Sequence, residues 1–140
     1  MARQTYESAS DRAVEEAVRS ELEGRWKCSL HKLPRAHYMD WAACRNGKVV
    51  SFVELKARNN EMQKYPDFFV SQMKWLHGIE MQRVFDIPAF LVVKWTDYTG
   101  YVKMTANGVN YMSMGGRIDR GDWQDQEVMV HIPLKDFTRL

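Results

Sequence analysis

Residues 48–56 alternate between the two faces of an extended strand, with Val50, Phe52, Glu54 and Lys56 on one side. That face is apolar at its start and charged at its end, so Glu54 and Lys56 project side by side. Residues 38–44 are a second strand candidate, joined to the first through Arg45-Asn46-Gly47-Lys48. Upstream, Val14, Ala17, Val18, Leu22 and Trp26 fall on one stripe at about 100° per residue and predict an amphipathic helix. Ser10 or Asp11 is expected to cap its start and Gly24 to end it. Glu16 points away from the stripe, whereas Glu15 sits at its edge, one turn ahead of Val18.

Beyond Lys56, residues 57–66 are polar and read as an exposed loop. Residues 67–84 place Val70, Met73, Leu76 and Val84 at helical spacings, with Trp75 and Ile79 widening the stripe and Gln72 near the start. The continuous apolar run at 87–95 predicts a central strand covered on both faces. A turn at 96–100, a strand at 101–105, a turn at Asn107-Gly108 and a late strand at Gln126–Pro133 complete the pattern. The intervening segment 115–122 reads as a flexible polar loop. It is no phosphate-binding P-loop, because Gly-Lys-Ser/Thr and a following helix are missing.

Carboxylates on strands that otherwise read as buried sheet carry the chemistry, since burying charge is costly unless it is paired or binds a metal. Asp40 precedes Glu54 by thirteen intervening residues. A two-residue Asn46-Gly47 turn with regular pairing sets Asp40 opposite Val53, on the wrong face from Glu54. A three-residue loop Arg45-Asn46-Gly47 pairs Cys44 with Lys48 and sets Asp40 opposite Phe52, diagonal to Glu54 on the same face. Shared chemistry therefore requires the longer loop or a bulge, and one is predicted. Two carboxylates and an amine then suit a hard divalent cation with a positioned or activated water.

At this point the residues resemble a known family. Asp40…Glu54-Leu55-Lys56 looks like the PD-(D/E)XK nucleases, among them restriction endonucleases, archaeal and phage Holliday-junction resolvases and phage recombination nucleases. The likeness runs over residues 11–105, with Met39 where the family's weakly kept proline stands. It implies an α/β, restriction-endonuclease-like core in the order αβββαβ, with a mixed central sheet flanked by helices. It further implies that Asp40, Glu54, the Leu55 carbonyl and Glu15 hold Mg²⁺ or Mn²⁺, with Asp11 and Glu16 as alternative helix carboxylates. Lys56 then orients or deprotonates the attacking water, and Gln72 resembles the glutamine that helps to orient the site or the scissile phosphate.

Composition changes this picture little. The 140 residues are expected to make one domain, and a 45% hydrophobic share with five tryptophans argues against disorder. No run approaches a membrane span and the N-terminus lacks a signal-peptide core, so a cytoplasmic protein is expected, in the host cell if phage-encoded. A net charge of +2 favours a polyanion only weakly, but Arg25, Lys27, His31, Lys32, Arg35 and His37 gather between the first helix and Asp40. Trp26, Tyr38 and Trp41 are interspersed there, a pattern that core packing explains equally well. Arg58, Lys64, Lys32, Arg35, Arg117 and Arg120 are candidate phosphate contacts. Cys28, His31, His37 and Cys44 match no common zinc spacing.

The expected function is hydrolysis of phosphodiester bonds in DNA by a phage-type endonuclease acting on branched or processed DNA, for which junction, flap or duplex is the partner. A homodimer follows if junctions are cut symmetrically. The alternatives are an exonuclease of the same fold, a simple nicking enzyme, an RNA substrate, and a non-catalytic nucleic-acid-binding or assembly module.

Overall fold

The computed structural model describes residues 9–34, 37–116 and 126–140, which include two helices and two sheets. Helix α1 (Ala9–Trp26) leads into β1 (Ser29–Lys32), β2 (Trp41–Arg45) and β3 (Lys48–Ala57). A 3-10 turn (Met62–Lys64) and β4 (Asp67–Ser71) precede α2 (Gln72–Phe85). Then follow β5 (Ala89–Lys94), β6 (Thr99–Lys103), β7 (Tyr111–Gly116), β8 (Gln126–Pro133) and β9 (Thr138–Arg139). The larger sheet runs β1-β2-β3-β5-β6-β9, with β3 and β5 parallel and its other pairs antiparallel. Its elements up to β5 follow the expected αβββαβ order. A smaller antiparallel sheet runs β4-β8-β7.

Alternation along β3 decides which helix covers which face. Val53 joins Trp41, Ala43, Leu30 and Val92 beneath Val18 and Leu22 of α1. Phe52 joins Ala42, Leu91 and Val93 on the opposite face, against Trp75 and Met81 of α2 and Phe68, Val70, Val130 and Ile132 of the small sheet. With both faces covered, β5 is fully buried at Leu91, Val92 and Val93, as its unbroken apolar run implies. Gly78 lets α2 lie close on the loop after β6: a Cβ there would fall 1.9 Å from the Met104 sulfur.

Several local expectations are corrected. Ser10 and Asp11 lie within α1, not at a cap before it, and the helix passes through Gly24. It ends at Trp26, and Lys27, with a φ of 53°, turns the chain out of the helix. Ala17 is exposed, leaving Val18 and Leu22 as the buried stripe. Residues 67–71 form a strand, because Phe68 and Val70 alternate into the core while Phe69 faces outward. The buried face of α2 is Trp75, Gly78 and Met81, and Met73, Leu76 and Val84 are exposed. Gly115 and Gly116 belong to β7 and not to a loop.

Polar side chains cross-link the outer face of the small sheet. His131 of β8 shares hydrogen bonds with Asp67 of β4 through Nδ1 (2.9 Å) and with Ser113 of β7 through Nε2 (2.7 Å). Tyr111 stacks on the imidazole at 4.0 Å. The sequence alone offers no partner for this histidine, because its partners lie on strands far apart in the chain.

Candidate active site

The turn between β2 and β3 sets the position of Asp40. Asn46 and Gly47 both take positive φ (53° and 75°) in a two-residue turn that pairs Arg45 with Lys48. The predicted three-residue loop is therefore absent, and the alternative device is used. A bulge follows: Cys44 pairs with Val49 but Ala43 with Ser51, which leaves Val50 as the extra residue. Pairing then continues as Ala42 with Phe52 and Trp41 with Val53. One further step sets Asp40 opposite Glu54 instead of Phe52, on the same face. The Asp40 N–H donates to the Val53 carbonyl (3.0 Å), and the Leu33 N–H donates to the Asp40 carbonyl (2.8 Å). The Asp40 carboxylate accepts the Leu55 N–H at 2.8 Å.

Glu54 is 2% exposed. Its Oε1 lies 3.6 Å from the Lys56 ammonium and 3.4 Å from that of Lys74, while its Oε2 has no hydrogen-bond partner among the described residues. Burial pushes the carboxyl pKa up and the Asp40 charge adds to this, against the pull of Lys56 and Lys74. An orphaned buried carboxylate oxygen is rare in native proteins, and a hard cation would satisfy it.

These groups line a cleft of about 640 Å³ whose wall also includes Glu15, Lys32, Leu55 and Arg58. Glu15 meets the Lys32 ammonium there, and Asp11 also reaches the lining. Glu16 faces outward and pairs with Arg19 at 2.7 Å. The Arg58 guanidinium packs 4.8 Å over the Phe68 ring. Lys64 stands outside the cleft lining, 5.6 Å over the ring of Tyr65. Gln72 is not brought to the carboxylates either: its amide points to the Met112 sulfur at 3.7 Å. Arg35, Arg117 and Arg120 lie outside the described residues.

Sequence reasoning missed Lys74. With α2 beginning at Gln72, this lysine falls in the first turn, where a positive charge opposes the helix dipole. That local mismatch is a usable signal, but it shows only once the helix start is placed at 72.

A sequence profile described as "Phage putative PDDEXK endonuclease" matches residues 1–140. The chain belongs to this phage PD-(D/E)XK endonuclease family. As a nuclease of that kind it also has a likeness among solved structures. The Holliday junction resolvase Hjc of Archaeoglobus fulgidus superposes with a TM-score of 0.56 at 14% identity, covering 90% of each chain. At that identity the likeness concerns the fold, a resolvase-like restriction-endonuclease core. A comparison with curated proteins returns no match.

Among the described residues of this endonuclease, no cluster of three or more His, Cys, Asp or Glu side chains is placed to hold a metal. Asp40 and Glu54 are a pair, and a divalent ion held by them would need further oxygen ligands. The unpaired Oε2 of Glu54 fits such an ion. Cys28 and Cys44 are free thiols. Among the described residues, no helix is long and apolar enough to cross a membrane.

Proposed function

We propose that this protein is a divalent-metal-dependent endonuclease that hydrolyses phosphodiester bonds in branched or processed DNA, acting in the cytoplasm of an infected host. The reading rests above all on Glu54, buried beside Asp40 with one oxygen facing two lysines and the other unpaired. Asp40 and Glu54 hold Mg²⁺ or Mn²⁺, with the Leu55 carbonyl and, directly or through water, Glu15. When bound, the ion lowers the pKa of water and polarises the phosphate.

The chain's own residues supply the rest. The Leu55 N–H fixes one Asp40 oxygen, so that carboxylate is oriented before substrate arrives. The Lys56 ammonium holds the attacking water by a hydrogen bond and offsets charge that builds on the phosphate. Lys74 is a second ammonium at the same carboxylate and takes the role first given to Gln72, steadying Glu54 and then the phosphate. Lys32 and Arg58 neutralise flanking phosphates along the cleft. Cutting opposed strands of a junction requires two such clefts, hence a homodimer. The archaeal protein is a Holliday junction resolvase, which supports the branched substrate as an analogy of fold.

The test incubates wild type and Glu54→Ala with single-stranded, duplex, flapped and four-way-junction DNA in Mg²⁺, Mn²⁺ or EDTA. Cleavage that needs the metal and disappears in the variant is the expected result. Equal cleavage by the variant, or cleavage in EDTA, defeats the assignment.

A further inference from the structure

Tyr38 and His77 form a parallel ring stack, with centroids 3.9 Å apart and planes within 11°. The three aromatics that the sequence sets among basic residues have separate fates. Trp41 is 1% exposed in the core, and Trp26 packs against Phe90 and Tyr101. Tyr38 joins neither core cluster and is 46% exposed. Core packing therefore accounts for the tryptophans and not for the tyrosine.

Its position gives it a use. His37 and Met39, on either side of Tyr38, both line the catalytic cleft, and His77 lies one helical turn beyond Lys74 on α2. The ring pair does not line the cleft itself but stands at its border, with Tyr38 between His37 and Met39 in sequence and His77 one helical turn from the lysine that meets Glu54. Burial and the Lys74 charge hold the His77 imidazole pKa down, so near neutral pH it presents a flat uncharged ring and not a phosphate clamp. One face of the phenol is occupied by the imidazole, which fixes the ring while nearly half of its surface stays open to solvent.

We propose that Tyr38, backed by His77, is a stacking platform for an unpaired nucleobase next to the phosphate being cut. This rests on the nuclease reading above and adds the feature of the substrate that is recognised. In an intact duplex both faces of each base are covered by its neighbours, so an aromatic platform gains nothing there. At a flap, a gap or a branch point a base face is free, and stacking on an aromatic ring is tolerant of sequence.

The experiment measures binding in EDTA, without cleavage, of flapped and fully paired DNA carrying 2-aminopurine at the flap base or its paired equivalent. Tyr38→Ala is expected to weaken flap binding by roughly 5- to 150-fold and to leave duplex binding within about twofold. Tyr38→Phe should bind as wild type does. Stacking should quench 2-aminopurine in wild type and Tyr38→Phe but not in Tyr38→Ala. Unchanged flap affinity in Tyr38→Ala overturns the platform, as does an equal loss on both DNAs, which marks a general structural role. Wild type that binds neither DNA, in EDTA or with Ca²⁺ in its place, overturns the nuclease reading and the platform with it.

Discussion

Asp40 is fastened to Leu55 by a hydrogen bond from the backbone N–H to its carboxylate, at 2.8 Å. Leu55, the residue between Glu54 and Lys56, thereby sets the angle of the second carboxylate. Asparagine at position 40 keeps an oxygen for this bond but loses the charge. Asp40→Asn should therefore melt within a few degrees of wild type, while cleavage falls by about 10²–10³-fold. Circular dichroism melts and a flap-cleavage assay check both halves.

Glu54 gives the metal-free protein a pH-dependent stability. Its carboxyl pKa lies above the ordinary 4.5 through burial first and the Asp40 charge second. Between 4.5 and that raised value the native protein keeps a proton that the unfolded chain has released. The native state is favoured below this window and loses that advantage as pH rises through it. Glu54→Gln is neutral throughout. In EDTA it should melt above wild type near pH ~7 and converge with it below pH ~4. A variant that melts below wild type at neutral pH contradicts the assigned burial cost.

Lys74 and Gln72 exchange importance relative to the sequence reading. Lys74→Met should slow cleavage by about 10²-fold, since an ammonium aimed at developing charge is worth that much in a water-poor site. Gln72→Ala should change it by less than about threefold, because its amide contacts Met112 outside the cleft. Single-turnover rates with saturating enzyme separate the two. A larger loss for Gln72→Ala would return that residue to the site.

The Asp67–His131–Ser113 chain has the residue types of a nucleophile relay, yet it links three strands of the small sheet across its outer face. Its expected role is to hold those strands together. His131→Ala should cost about 1–3 kcal/mol in urea unfolding, as partly buried hydrogen-bonded groups lose their partner. Ser113→Ala should cleave DNA at the wild-type rate.

Strong periodicity carried well from sequence to structure, and local ambiguity did not. Residues 87–95 read as a central strand because an apolar run bounded by turns fits little else, and β5 lies there. Residues 67–71 were misread because so short an apolar run is compatible with either period, and the helix beyond lent them its own. That Glu54 and Lys56 share a face was legible, because alternation is a property of the strand itself. The approach of Asp40 to Glu54 depended on a bulge at Val50, where the sequence left a longer loop or a bulge open. Lys74 was hidden because its partner lies twenty residues away, across a helix start placed five residues too early.

Strand β4 ends at Ser71 and helix α2 begins at Gln72, with no residue between them. The register in which β4 pairs with β8 is therefore carried without slack into the first turn of α2, and with it into the position of Lys74 beside Glu54.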